Sequence, residues 1–200
     1  MHGADFPTEV SLIKGWSGHP LCMIQELNSS FSAVVMIGYH SRAGSNGNPL
    51  SHTLSSSKFF EIKINDQPIS EFSLHGYAAA TFGVPVIFVS GDESLGIEVK
   101  HINENIGFAS VMTGIGASTL SIHPDLAIRK ISEGVEKAVN SDLKKCLLPL
   151  AKHFQLEVEF KDHMAAYKAS FFPGAKAAGD RSIKFETTNF LDIMGVLNFL

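Results

Sequence analysis

Val34-Val35-Met36-Ile37-Gly38-Tyr39-His40 decides the reading of this chain: an apolar, β-branched run ends in a glycine and then a histidine. Such a run suits a strand of an α/β sheet, and open α/β sheets hold their ligands just beyond the carboxyl ends of their strands. A histidine in that place is aimed at a site. After His40 comes the turn-rich run Ser41-Arg42-Ala43-Gly44-Ser45-Asn46-Gly47-Asn48-Pro49, then Ser51-His52, and farther on Glu71. Two imidazoles and a carboxylate converging near one strand end make a donor set suited to a metal ion.

Working outward, Phe31 to Ile37 reads as a buried strand, and Lys58 to Ile64 as a half-exposed one with Phe60, Ile62 and Ile64 alternating against charged residues. Asn65-Asp66-Gln67-Pro68 is the following turn. A helix is expected from Ser70 to Phe82, with Ser70 as its cap, Glu71 in its first turn and Gly83 at its end. Val84 to Ser90 is β-branched and continuous, as strands of a doubly covered parallel sheet are. Another helix or turn starts at Gly91-Asp92-Glu93-Ser94, and a short strand ends at Met112. His123-Pro124-Asp125 opens the longest helical pattern, in which Leu126, Ile128, Ile131, Val135 and Ala138 recur at helical spacing up to about Val139. Beyond it, Leu156 to Phe160 alternates as a strand, Met164 to Phe171 reads as a helix, Ser182 to Thr187 alternates again, and Leu191 to Leu200 forms a last amphipathic helix.

The predicted fold class is therefore α/β, a mainly parallel sheet covered by helices, with a C-terminal α+β extension. The predicted division is an α/β metal-site domain over 1–139 and an extension over 140–200 packed on it. The glycine-rich loop 41–49 lies beside the proposed site, where long loops tend to be functional.

The bulk composition narrows the partners. A chain of 200 residues with 44% apolar and 18% charged residues is an ordinary globular protein with one sizeable core. A net charge of −4 with interspersed signs argues against nucleic acid. Cys22 and Cys146 stand far apart, without metal-ligand spacing, and read as plain thiols. No stretch approaches the length of a membrane span, and the N-terminus lacks a secretory pattern, so no membrane partner and a cytoplasmic location are expected.

Each site residue also has a plainer explanation. His40 is equally read as a hydrogen-bonded strand-end histidine, His52 as a solvated loop histidine, and Glu71 as a carboxylate complementing a helix N-terminus. Asp92 reads better as a helix cap than as a site acid. His75, His101, His123, His153 and His163 show no metal-ligand pairing, and Thr113-Gly114-Ile115-Gly116 lacks the Lys and Ser/Thr of a phosphate loop.

A resemblance shifts these balances. Gly38-Tyr39-His40-Ser41-Arg42-Ala43, Leu50-Ser51-His52-Thr53, Ile64-Asn65-Asp66-Gln67-Pro68-Ile69-Ser70-Glu71 and Gly83-Val84-Pro85-Val86-Ile87-Phe88-Val89-Ser90-Gly91-Asp92 follow one another as they do in the M55 peptidases, the zinc-dependent D-aminopeptidases. The likeness continues through Thr113-Gly114-Ile115-Gly116, Ser121-Ile122-His123-Pro124 and Phe172-Pro173-Gly174, and so covers nearly the whole chain. It implies a metal-dependent aminopeptidase that releases N-terminal, D-configured residues from short peptides and assembles as a homo-oligomer. It implies that His40 and Glu71 are metal ligands, that His2 of His2-Gly3 matches the ligand of a Ser-His-Gly segment, and that His52 is catalytic, as oxyanion donor or proton shuttle. Members of the family hold a pair of zinc ions, partly through an Asp-x-Glu-Gly segment, which occurs nowhere in this sequence. An incomplete site is thus expected, with weak zinc binding, at most one tightly held ion, and slow or no hydrolysis of D-alanyl peptides. The competing expectations are a truncated or degenerate non-catalytic relative and a small-molecule binding module.

Overall fold

The computed structural model describes residues 6–200, so His2 lies outside the described residues. In chain order the elements are β1 (Val34–Tyr39), β2 (Phe59–Ile64), β3 (Gln67–Pro68), α1 (Glu71–Thr81), β4 (Val86–Asp92), α2 (Glu93–Ile102), β5 (Gly107–Ile115), β6 (Ser118–Ser121), α3 (Pro124–Val139), β7 (Phe154–Phe160), α4 (His163–Ala169), β8 (Lys176–Ala177), β9 (Ser182–Thr187) and α5 (Phe190–Phe199). They build two sheets. The first runs β1-β4-β5-β6, with β1, β4 and β5 parallel and β6 antiparallel at the edge; the second runs β3-β2-β7-β9-β8 and is antiparallel throughout.

The β-branched run in β4 explains its place. Every residue of β4 is buried, because it has a strand on either side and helices packed against it, among them α1, α2 and α3. In β7 the burial alternates instead, with Phe154, Leu156, Val158 and Phe160 turned into the core, as a sheet with one covered face requires.

α1 lies between the two sheets. Its Leu74, Ala78 and Ala79 join the core against the antiparallel sheet and α5, whereas Phe72 and Ala80 join the core of the parallel sheet. A helix used on both sides must be apolar nearly all round, and the small Ala78-Ala79-Ala80 run lets both layers approach it closely. Its start is firmly held: the Ser70 side chain accepts from Ser73 N at 3.3 Å, the Ser73 hydroxyl accepts from Ser70 N at 3.0 Å, and the Ser70 hydroxyl donates to Glu98 Oε1 at 2.7 Å. Burial raises the Glu98 pKa, and the hydrogen bonds from Ser70 work against that rise. Replacing Ser70 with Ala is expected to cost about 1–2 kcal/mol, read as a lower urea midpoint at an unchanged slope.

The fold class is α/β as expected, with a parallel-containing sheet flanked by helices, and the contacts place two parts of the chain more closely. Parallel pairing is confined to β1, β4 and β5; β2, expected within the same α/β layer, belongs to the antiparallel sheet. Residues 140–200 contribute to that antiparallel sheet. They supply β7, β8 and β9, and β7 pairs along β2, so the antiparallel sheet draws on both sides of residue 139. The face of β2 also differs: Phe59, Ile62 and Ile64 are buried while Phe60 is 47% exposed, because an irregularity between Phe59 and Glu61 shifts the alternation. Phe60 instead carries the Arg181 guanidinium 5.9 Å from its ring centroid.

Both cysteines are unpaired, Cys146 buried and Cys22 half-buried, and burial raises both thiol pKa values. Among the described residues, no helix is long and apolar enough to cross a membrane.

Candidate metal centre

Gly38, whose φ of +77° is a conformation that favours glycine, makes an irregularity in β1 between Met36 and Tyr39, after which Tyr39 pairs again with Gly91 of β4. Its N–H donates to Ser90 Oγ on β4 at 3.1 Å rather than to a strand carbonyl. His40 follows at the carboxyl end of the sheet. With the proton on Nδ1, its ring donates to the Ser41 carbonyl at 3.0 Å and leaves Nε2 free. His52 is held likewise, Nδ1 against the Leu50 carbonyl at 2.6 Å. A backbone carbonyl on one ring nitrogen, with the other free, is the arrangement that orients a metal-ligating imidazole.

Glu71 comes from the first turn of α1. It is buried, and Oε1 accepts from Leu54 N at 2.8 Å and lies 3.8 Å from His52 Nε2. The ring centroids of His40 and His52 are 4.4 Å apart. One donor atom from each of His40, His52 and Glu71 lies within 4.8 Å of the other two, and no other such group occurs among the described residues. Among those residues, neither Lys nor Arg forms an ion pair with Glu71. A buried carboxylate facing two free imidazole nitrogens, with no organic cation beside it, fits a divalent metal in both donor type and charge.

The cluster opens on a cleft of about 330 Å³ whose walls include Trp16, Cys22, Phe59 and Met194. A second cleft of about 350 Å³, around Tyr77, Glu98 and Phe154, contains no comparable donor group. The remaining acids and histidines lie elsewhere. Asp92 caps α2 by accepting from Leu95 N, Glu93 accepts from Thr113 Oγ1, His123 caps α3, and His101, His153 and His163 are exposed.

His75 carries no signal in the sequence. It sits one turn after Glu71 on α1, is 0% exposed, and neither ring nitrogen has a hydrogen-bond partner; its ring stands edge-on to Tyr39 at 6.4 Å. Burial pushes its pKa down to about 4, with the Glu71 backbone opposing this in part. Tyr39 is buried too, and burial followed by the Glu71 charge raises its pKa. The sign of the His75 effect is fixed: folded, the ring stays neutral to about pH 4, whereas the unfolded ring gains its proton near pH 6.5. Stability fully present above that value is lost as the pH falls toward 4, by up to about 3 kcal/mol. His75→Leu, which removes two unpaired polar atoms, is expected to match the wild type at pH 8 and to lose less stability on acidification. Melting curves of both proteins from pH 8 to 4 check this, and parallel acid slopes would refute it.

An α/β fold that brings two imidazoles and a buried carboxylate together beyond the end of β1 places this chain in the class of proteins with a donor set suited to a divalent metal ion. The chain belongs to the M55 peptidases, the D-aminopeptidase family, whose sequence pattern matches residues 1–199. It is 30% identical over 190 residues to a D-aminopeptidase of Bacillus subtilis (strain 168), an alignment covering 92% of this chain and 67% of that protein. Among solved structures, the Zn-dependent D-aminopeptidase DppA from Bacillus subtilis, a self-compartmentalizing protease, superposes with a TM-score of 0.87 at 27% identity, over 98% of this chain and 71% of that one.

Proposed function

We propose that this protein is a zinc-dependent D-aminopeptidase that removes the N-terminal residue from short peptides, with His40 and Glu71 as metal ligands and His52 as the catalytic base and oxyanion partner. The observation that carries this reading is the convergence of His40, His52 and Glu71 in a member of this family. Zinc bound there supplies Lewis-acid polarisation of the scissile carbonyl and acidifies the attacking water. His52, with Nδ1 held by the Leu50 carbonyl and Nε2 free, would accept the water's proton and then, as imidazolium, face the oxygen on which negative charge develops. Glu71 supplies the charge that holds the metal and, being buried, is oriented by the Leu54 amide. The mixed apolar and polar cleft binds the peptide end, and preference for D-residues is carried by the likeness to D-aminopeptidases. His2 is a further proposed ligand.

The closeness of His52 to Glu71 favours a second reading, in which His52 is itself the third ligand of a single zinc. Elemental analysis of dialysed protein tests the metal claim: one zinc per chain is expected, because two neutral imidazoles and one carboxylate among the described residues cannot balance two divalent ions in a buried cleft. Protein that binds no zinc would contradict both readings.

We further propose a homo-oligomer, supported by the self-compartmentalizing relative and by the exposed Met164, Tyr167 and Phe171 on and just after α4, the last two in edge-to-face contact at 5.1 Å. Light scattering after gel filtration should return a multiple of the chain mass.

A further inference from the structure

The carboxylate of Asp92 is fully buried at the junction of β4 and α2, outside the metal cluster, and is engaged on both oxygens. Oδ1 accepts from Leu95 N at 2.9 Å and from Ser41 Oγ at 2.5 Å; Oδ2 accepts from Ser41 N at 2.7 Å and from Asn48 Nδ2 at 3.3 Å. Only the Leu95 bond is helix capping. The other bonds reach across to the loop that leaves His40 and returns at His52, gripping it at both Ser41 and Asn48.

From Asn48 the grip passes onward along the chain. Asn48 Oδ1 accepts from Leu50 N at 2.8 Å, and Asn48 N donates to Ser51 Oγ at 3.1 Å. Together with Ser51 N donating to the Asn48 carbonyl at 2.9 Å, these bonds shape the turn whose Leu50 carbonyl receives the His52 Nδ1 proton. The far end of the loop is tied separately, by Thr53 Oγ1 donating to the Ile69 carbonyl at 2.9 Å. Asp92 thus sets where Asn48 sits, and with it the turn carrying the Leu50 carbonyl, so its loss removes the side-chain anchor from which the His52 ring takes its direction.

We infer that Asp92 is a positioning residue for His52, acting through Ser41, Asn48 and the Leu50 carbonyl to hold the ring with Nε2 toward the metal cluster. Its consequence for turnover rests on the peptidase reading above; its effect on the His52 ring does not. Asp92→Asn isolates this role. Asparagine is a good helix cap, so its remaining oxygen keeps the Leu95 bond, but its NH2 group then faces the Ser41 N–H and the Asn48 NH2, donor against donor.

The experiment reads the His52 ring nitrogens by 15N NMR in the full-length, zinc-free chain, and kcat and KM in the zinc-loaded one. The wild type should show the Nδ1–H tautomer alone. In Asp92→Asn, a mixture of tautomers should appear, kcat should fall by about 10²-fold with KM little changed, as misplacement of a catalytic group by about 1 Å does, and zinc content should persist. Adding Asn48→Asp to Asp92→Asn restores a donor–acceptor pair and should bring back much of the wild-type tautomer signal. Asn48→Ala, which leaves Asp92 and its helix cap intact, should shift the tautomer in the same direction and keeps the test available should Asp92→Asn fold poorly. An unchanged His52 signature in Asp92→Asn or in Asn48→Ala would overturn the inference. A wild type without peptidase activity would sink the functional reading while the tautomer comparison still decides this one.

Discussion

Replacing His52 with Ala should lower D-aminopeptidase turnover by about 10²–10³-fold, the cost of removing one partner of a developing oxyanion, equal to about 2.7–4 kcal/mol in the barrier. Zinc content and folding should stay close to the wild type, because His52 is part-exposed on a loop and its one hydrogen bond is to the neighbouring Leu50 carbonyl. Elemental analysis beside steady-state kinetics separates the two assignments. Zinc retained with activity lost makes His52 the catalytic group. Zinc lost with activity makes it the third ligand, as its position 3.8 Å from Glu71 also permits. Unchanged turnover would remove His52 from the mechanism.

The second large effect falls on Glu71. Glu71→Gln keeps an oxygen to accept from Leu54 N and keeps the side chain's size, but removes the negative charge that offsets the metal. Zinc affinity should fall by more than about 10²-fold, beyond the 10–100-fold typical of losing a group that merely supports a ligand, and turnover should fall with it. Zinc-free, the variant should be no less stable than the wild type, since an unpaired buried charge has been replaced by a neutral amide. His40→Ala should lose zinc equally. Titration with a chromophoric zinc chelator measures both variants, and full-affinity binding by Glu71→Gln would exclude Glu71 as a ligand.

The parts of this molecule that could be read from sequence are those in which local pattern and tertiary role agree. β4 is continuous and apolar because it is central; α3 begins at His123-Pro124 because a capping side chain and a first-turn proline both favour that start; β7 alternates because one face of its sheet is covered. The face of β2 could not be read, because the irregularity beside Phe59 changes the alternation without leaving a glycine or proline to announce it. Nor could its sheet: Phe59, Ile62 and Ile64 ask for a core but do not say which one, and the partner, β7, lies far along the chain. β6 and β8 are short and exposed at sheet edges, so nothing in their composition marks them as strands.

The site divides in the same way. His40 was legible because a strand, a glycine and a histidine in that order place the ring at a sheet edge. Glu71 was ambiguous between helix-terminus chemistry and ligation, and it is in fact both the first residue of α1 and a member of the donor cluster. The return of His52 to the cluster depends on Asp92, Asn48 and Thr53, whose bonds span the chain from Ser41 to Asp92 and carry no periodic signal. His75 is not legible for a related reason: on a helix buried on both sides, burial no longer follows an amphipathic stripe, so a histidine there looks no different from one facing water.

The cluster of His40, His52 and Glu71 is proposed to carry zinc-dependent removal of D-configured N-terminal residues. Hydrolysis of D-alanyl-D-alanine and of L-alanyl-L-alanine by the same preparation, before chelation, after exhaustive EDTA treatment and after zinc is added back, decides this. Turnover of the D-dipeptide alone is expected, with its loss on chelation and its recovery with zinc. Hydrolysis that persists in the zinc-free protein, equal turnover of the L-dipeptide, or no hydrolysis with zinc bound would contradict it.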